Sequence, residues 1–157
     1  MQESGKDICK VVDNIYTKDR KDLIFCPTGR TGNIELPNGV DTIKSKSFFG
    51  TGTDSIRISD DVTTIEDMAF SSSTIETAIL GKNANSISRI FMSCNKIKSV
   101  VIDSQYIASM LGSNGFASSP EAIYIKNNIT EIGTYITSNY ELSNQNDREG
   151  YVKHVKK

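Results

Sequence analysis

The sequence predicts a mainly β solenoid of about five turns of 22–23 residues, with one parallel strand ladder and an N-terminal β-hairpin cap. Three observations predict it. First, the apolar anchors Leu36, Ile58, Leu80, Ile102 and Ile125 follow one another at steps of 22, 22, 22 and 23 residues. Two positions before each stands Ile34, Ile56, Ala78, Val100 or Ile123. Second, an isoleucine recurs seven residues after four of the anchors, at Ile43, Ile65, Ile87 and Ile132. A fixed apolar template at such a period marks units that bury their faces only against their neighbours. Third, the chain has 20 Ile and 8 Val against 5 Leu. Branched side chains pack well on a pleated face and lose χ1 freedom in a helix.

Residues 1–10 are expected to be a flexible N-terminus and 11–30 a capping hairpin, with the solenoid over 31–137 and a cap or tail over 138–157. In VVDNIYTKDRKDLIFCP, two apolar runs flank a charged turn centred on Asp19, and Leu23, Ile24 and Phe25 resume the strand. Such a hairpin would shield the first repeat's apolar face and open strand edge. In IRISDDVTTIEDMAF, Ile56 and Ile58 alternate with Arg57 and Ser59, one face in and one out. Asp60-Asp61 turns the chain where the preceding unit uses Pro37-Asn38-Gly39. Val62 and Ile65 then face inward, and Phe70 closes the unit as Phe48 closes the one before. The third unit keeps Leu80, Ala84 and Ile87 and sets its Phe one residue early, at Phe91. The fourth improvises its inner face with Tyr106, Ile107, Met110 and Leu111, and Gly112–Gly115 suggests a loop. The fifth restores Ile123, Ile125, Ile129 and Ile132. The polar stretch after it should form a loop and a short capping strand at Tyr151-Val152.

The template seen as IRISDDVTTIEDMAF and IELPNGVDTIKSKSFF resembles the BspA-like leucine-rich repeats, as do FMSCNKIKSVVI and the opening FCPTGRTGNIELP. The likeness covers residues 11 to 137. It implies a leucine-rich-repeat solenoid in a cell-surface or secreted protein, of the surface-antigen type found in host-associated bacteria and trichomonad protists, with a role in adhesion to host or neighbouring-cell proteins. The residues themselves imply only the solenoid.

Composition narrows the function. Charged residues make up 24% and the formal net charge is −1, so no strong field points to nucleic acid or anionic lipid. There is no apolar window long enough to span a membrane. The opening MQESGKDICK has no apolar core of a secretory signal, as expected of an intracellular chain or of a mature or excised piece of a longer one. Three cysteines without CxxC spacing imply no metal framework. Cys94 stands where the preceding turn has Ser73, a small buried position. Cys9 and Cys26 flank the hairpin and could pair in an oxidising compartment.

Catalysis has little support. The lone histidine, His154, lies in the basic tail and reads as solvated. Asp60-Asp61 and Glu66-Asp67 read as solvated turn charges rather than a glycosidase pair. Phosphate-binding, zinc-protease and EF-hand patterns are absent, and no cofactor is expected. The one sequon, Asn128-Ile129-Thr130, is a frequency expected by chance. The informative surface is the outward strand position, where equivalent residues stack about 4.8 Å apart. It reads Glu35, Arg57, Ile79, Val101, Tyr124. Glu35 and Arg57 can pair as adjacent rungs, and the three apolar rungs form a candidate contact patch for a protein partner, unless a loop or the tail covers them. A non-catalytic binding module is the leading reading and a structural spacer in a larger surface protein the alternative, with self-association through the solenoid edge possible.

Overall fold

The computed structural model describes residues 16–85, 89–110, 116, 120–145 and 147–157. In chain order its strands are β1 (Asp22–Leu23), β2 (Thr31–Glu35), β3 (Thr42–Ile43), β4 (Gly52–Arg57), β5 (Thr64–Ile65), β6 (Thr77–Leu80), β7 (Ser99–Ile102), β8 (Ala122–Lys126), β9 (Tyr140–Leu142) and β10 (Tyr151–Lys156). Two short helices accompany them, α1 (Gln105–Met110) and α2 (Thr134–Asn139). Strands β2, β4, β6, β7 and β8 are neighbours in that order and pair in parallel, so four turns link five rungs of one ladder. The expected register holds throughout: Ile34, Ile56, Ala78, Val100 and Ile123 are mutual partners. A second parallel sheet, β1-β3-β5, runs through Leu23, Ile43 and Ile65.

The core is built as columns. The residues of the Ile34 column and the anchors from Leu36 to Ile125 are all buried. Each such large apolar side chain contributes roughly 1.5–3 kcal/mol on full burial. Phe48, Phe70, Phe91, Phe116, Tyr135 and Tyr140 form an aromatic column with successive ring centroids 5.1, 5.3, 5.7, 6.3 and 6.1 Å apart. The early placement of Phe91 in its unit therefore leaves the stack continuous. Beside it, Thr51 Oγ1 donates to the Phe48 carbonyl and Ser73 Oγ to that of Phe70. Cys94 Sγ bonds the Phe70 carbonyl at 2.9 Å, which explains a small polar residue there. Left-handed backbone recurs with the repeat, at Lys46, Met68 and Arg89 and again at Gly50, Ser72 and Ser93.

Several expectations need correcting. Strand β1 ends at Leu23, and Ile24 and Phe25 are about half exposed rather than strand residues. Tyr16 bridges Leu23 antiparallel, while residues 11–15 of the expected hairpin lie outside the described residues. In the fourth unit Ile107 and Ala108 face inward from α1, whereas Tyr106 is exposed because a helix turns neighbouring positions to different faces. Ile87, Leu111, the 112–115 loop and the side chain of Met110 fall outside the described part. His154 is not solvated: it is 5% exposed. It lies in β10, which pairs antiparallel with β8 on one side and β9 on the other. No further parallel rung can add to β8, since β10 already takes its edge hydrogen bonds.

Candidate protein-binding face

The ladder brings all five candidate residues together. Glu35, Arg57, Ile79, Val101 and Tyr124 are successive register partners, and Tyr124 is followed by Lys153 of β10. The face they form has two unlike halves. The side chains of Glu35 and Arg57 are 71% and 56% exposed, and their ion pair is 3.6 Å long. Ile79 and Tyr124 are half-buried, and Val101 is 1% exposed.

At its Tyr124 end the expected open apolar patch is roofed by the chain's own C-terminal segment, and Val101 is buried between the flanking rungs. The Arg148 guanidinium lies 5.9 Å from the Tyr124 ring centroid and 5.3 Å from that of Tyr151. The Lys153 ammonium is 5.6 Å over Tyr124 and 2.9 Å from Asp147. Cation-over-ring contacts of this kind are worth about 0.5–1 kcal/mol at exposed sites. The physical reason is that the apolar Tyr124 ring would otherwise stay wet.

What remains open is a shallow groove of about 520 Å³ beside the ladder, lined among others by Glu35, Arg57, Ile79, Asp60, Asp103 and Tyr151. Gly81 forms part of its wall, and a Cβ there would come 2.5 Å from the Ser59 carbonyl oxygen. Backbone approaches so closely that only glycine fits. The turn carboxylates around the groove are engaged between rungs. Asp60 accepts from the Lys82 backbone N–H at 3.0 Å and pairs with its ammonium at 3.2 Å. That N–H bond, before the ammonium, holds the Asp60 carboxyl below its ordinary range. Asp61 accepts from the Gly39 N–H at 2.8 Å. Burial raises the Tyr151 phenol, with its hydrogen bond to Asp103 adding to the shift. Lys126 stands 3.9 Å from Asp103.

Repeat geometry of this kind identifies the chain more sharply than any single residue. Residues 21–146 match the family model of the BspA type leucine rich repeat region, in six copies. The chain belongs to the BspA-type leucine-rich-repeat family. No curated protein and no solved structure was found to match it. BspA-type repeats are commonly surface-associated or secreted, and the leucine-rich-repeat solenoid is typically a non-enzymatic binding or scaffold fold suited to protein interaction.

The chemistry of this BspA-type face is that of contact: fixed charges, hydrogen-bonding groups and a partly apolar floor. Among the described residues, no group of three or more His, Cys, Asp or Glu side chains could hold a metal ion, and no helix is long and apolar enough to cross a membrane. Burial pushes the Cys94 thiol up, away from the thiolate that nucleophilic attack requires. Cys26 is disulfide-bonded, and Cys9 lies outside the described residues. Sequence reasoning missed Asp103, Arg148 and Tyr151. For Asp103 a signal existed, since it follows its anchor as Ser59, Gly81 and Lys126 follow theirs. For Arg148 and Tyr151 the only hint was that three apolar rungs require a cover.

Proposed function

We propose that this chain is a non-catalytic protein-binding module of a cell-surface or secreted BspA-type protein, and that it serves adhesion to host or neighbouring-cell proteins. The observation that carries this reading is the in-register ladder from Glu35 to Tyr124 with an open, charged groove along it. A rigid parallel sheet holds these groups at fixed spacing, so little ordering cost falls on the module when a partner binds. Charge of both signs in the groove favours orientation and partner choice over raw affinity. The Cys26 disulfide supports an oxidising compartment, as a surface or secreted location supplies. The N-terminal segment and the β9–β10 hairpin serve in this reading as the two caps of the solenoid.

The test is saturable binding of the purified chain to intact cells and to a panel of purified extracellular-matrix proteins. Arg57→Glu combined with Ile79→Asp should abolish it with the fold intact by circular dichroism. Phe49→Ser, exposed outside the groove, should leave it unchanged. A chain that binds nothing on either panel would instead be a spacer.

A further inference from the structure

The C-terminal hairpin is held to the solenoid in an unusual way. Of the six side chains of β10, only that of His154 is buried. The other apolar positions of the hairpin face largely outward: Leu142 is 68% and Val152 38% exposed. Docking therefore rests mainly on backbone ladder bonds, on Tyr140, on the His154 ring and on half-exposed contacts such as those of Lys153 and Arg148 with Tyr124. Segments with few buried apolar contacts open at a small fraction of the global unfolding free energy. This same hairpin carries Lys153, and the turn before its second strand carries Arg148, the two cations that lie over the Tyr124 ring.

Among the described residues, no acidic side chain faces the His154 cation. From β8 its register partner is Ile123, and from β9 it is Leu142. The one charged residue of β8, Lys126, lies opposite Tyr151 near Asp103. Glu141 of β9 stands opposite Val155, on the other face of the sheet. Glu121, before β8, is exposed. Within β10, Lys153 is on the opposite face bound to Asp147, and Lys156 is exposed. Past its end, Lys157 donates to the carbonyls of Thr137 and Ser138 at the end of α2, a helix with no charged residue. The Nδ1 atom has no hydrogen-bond partner among the described residues.

We propose that the β9–β10 hairpin is an acid-released latch: protonation of His154 frees it from β8 and uncovers Tyr124 for a protein partner. The release stands on the latch geometry alone, and only its use by a partner rests on the function proposed above. Burial holds the imidazole below its ordinary value of 6.5, and backbone hydrogen bonding to Val152 and Ile123 opposes this without overcoming it. A depressed histidine makes the folded latch stable above about pH 6.5 and weakens it progressively as pH falls toward the folded value. Asp60, Glu66, Glu76 and Asp147 are held below their ordinary values, so their contributions persist until the pH falls below about 4.5. Between pH 7 and 5 the signal belongs to His154, the only histidine in the chain.

The experiment is hydrogen exchange of the full chain from pH 7 to pH 5, corrected for intrinsic rates, with His154→Phe and His154→Gln measured alongside and the imidazole titrated by NMR. The expected result is about a tenfold loss of protection over 122–126 and 151–156, with 52–58 unchanged and both variants flat. Equal protection at both pH values, the same loss in both variants, or an imidazole titrating at 6.5 or above would overturn the latch. Because both variants are read over the same window, a fold weakened at all pH values by one substitution does not mimic a lost pH response. Cell binding measured at pH 7 and pH 5.5 separates the two ideas. Release without a change in binding overturns the partner role of the latch, while lost groove binding in Arg57→Glu/Ile79→Asp concerns only the function proposed above.

Discussion

The two ends of the strand ladder are built on one register and meet water in opposite ways. At β2 and β4 the outward rungs are Glu35 and Arg57, open and ion-paired. At β7 and β8 the equivalent rungs are Val101, which is buried, and Tyr124, which is half-covered by the returning C-terminal chain. The interior shows the reverse mismatch. The buried column of Thr51, Ser73 and Cys94 begins at its N-terminal end with Arg30, whose amide donates to the Pro27 carbonyl as theirs donate to Phe48, Phe70 and Phe91. Arg30 is 2% exposed, and among the described residues none of its three guanidinium nitrogens has a hydrogen-bond partner. The lesson is that a solenoid's repeat sets which way a side chain points, and its ends decide what that side chain meets.

The sharpest way to break this comparison is one substitution at two rungs of one position. Val101→Asp buries a carboxylate at a position of β7 that is 1% exposed, and should cost at least about 3 kcal/mol, enough to unfold the domain. Arg57→Ser, two rungs away on the same face, should cost less than about 0.5 kcal/mol. Urea denaturation of both proteins decides it. Similar losses at the two positions would mean the apolar rungs are no better covered than the charged ones.

Much of this was legible in the sequence. The strand partners from Ile34 to Ile125 followed from the 22-residue steps, because in-register parallel pairing converts equal spacing into adjacency. The Cys94 and Ser73 equivalence followed for the same reason, and the two atoms lie 3.3 Å apart. The cover over Tyr124 was not legible, because β10 stands outside the repeat and runs antiparallel to it. No periodicity predicts which edge a terminal strand will take. His154 was misread on the same account: a polar, lysine-rich end looks solvated until β8 and β9 close on both sides of it. The carboxylates at the turns looked merely hydrated, yet Lys44–Glu66, Lys82–Asp60, Arg89–Asp67 and Lys98–Glu76 each join residues 22 apart. Glu66 also accepts from the Ser45 N–H at 2.9 Å, the first cause of its lowered carboxyl.

A smaller effect tests the groove between the two ends. Gly81→Ala places a methyl group 2.5 Å from backbone oxygen, so the rungs of β4 and β6 must separate. The cost should be about 1–3 kcal/mol. Gly29→Ala meets nothing within 4 Å and should stay within about 0.5 kcal/mol of wild type. Of similar size and opposite sign is Arg30→Met. Removing a buried charge that lacks partners among the described residues, while keeping the length of the side chain, should raise stability by about 1–3 kcal/mol. A lower melting temperature for this variant would show that the guanidinium is compensated, and that the N-terminal end is not mismatched.

The smallest predicted effect concerns the open rungs themselves. A double-mutant cycle of Glu35→Ala and Arg57→Ala isolates their coupling from what each loses alone. Both side chains are more than half exposed and 3.6 Å apart, so water and mobile ions screen most of the attraction. The coupling should be below about 0.5 kcal/mol at low salt and vanish near 1 M salt, where the screening length is about 3 Å. The interaction of Tyr124 with Lys153 and Arg148 should keep most of its strength under the same conditions, because a half-buried ring excludes the screening ions from one side. A salt-resistant Glu35–Arg57 coupling above about 1 kcal/mol would mean the N-terminal rungs are shielded too, and the contrast between the two ends would then lie in sequence alone.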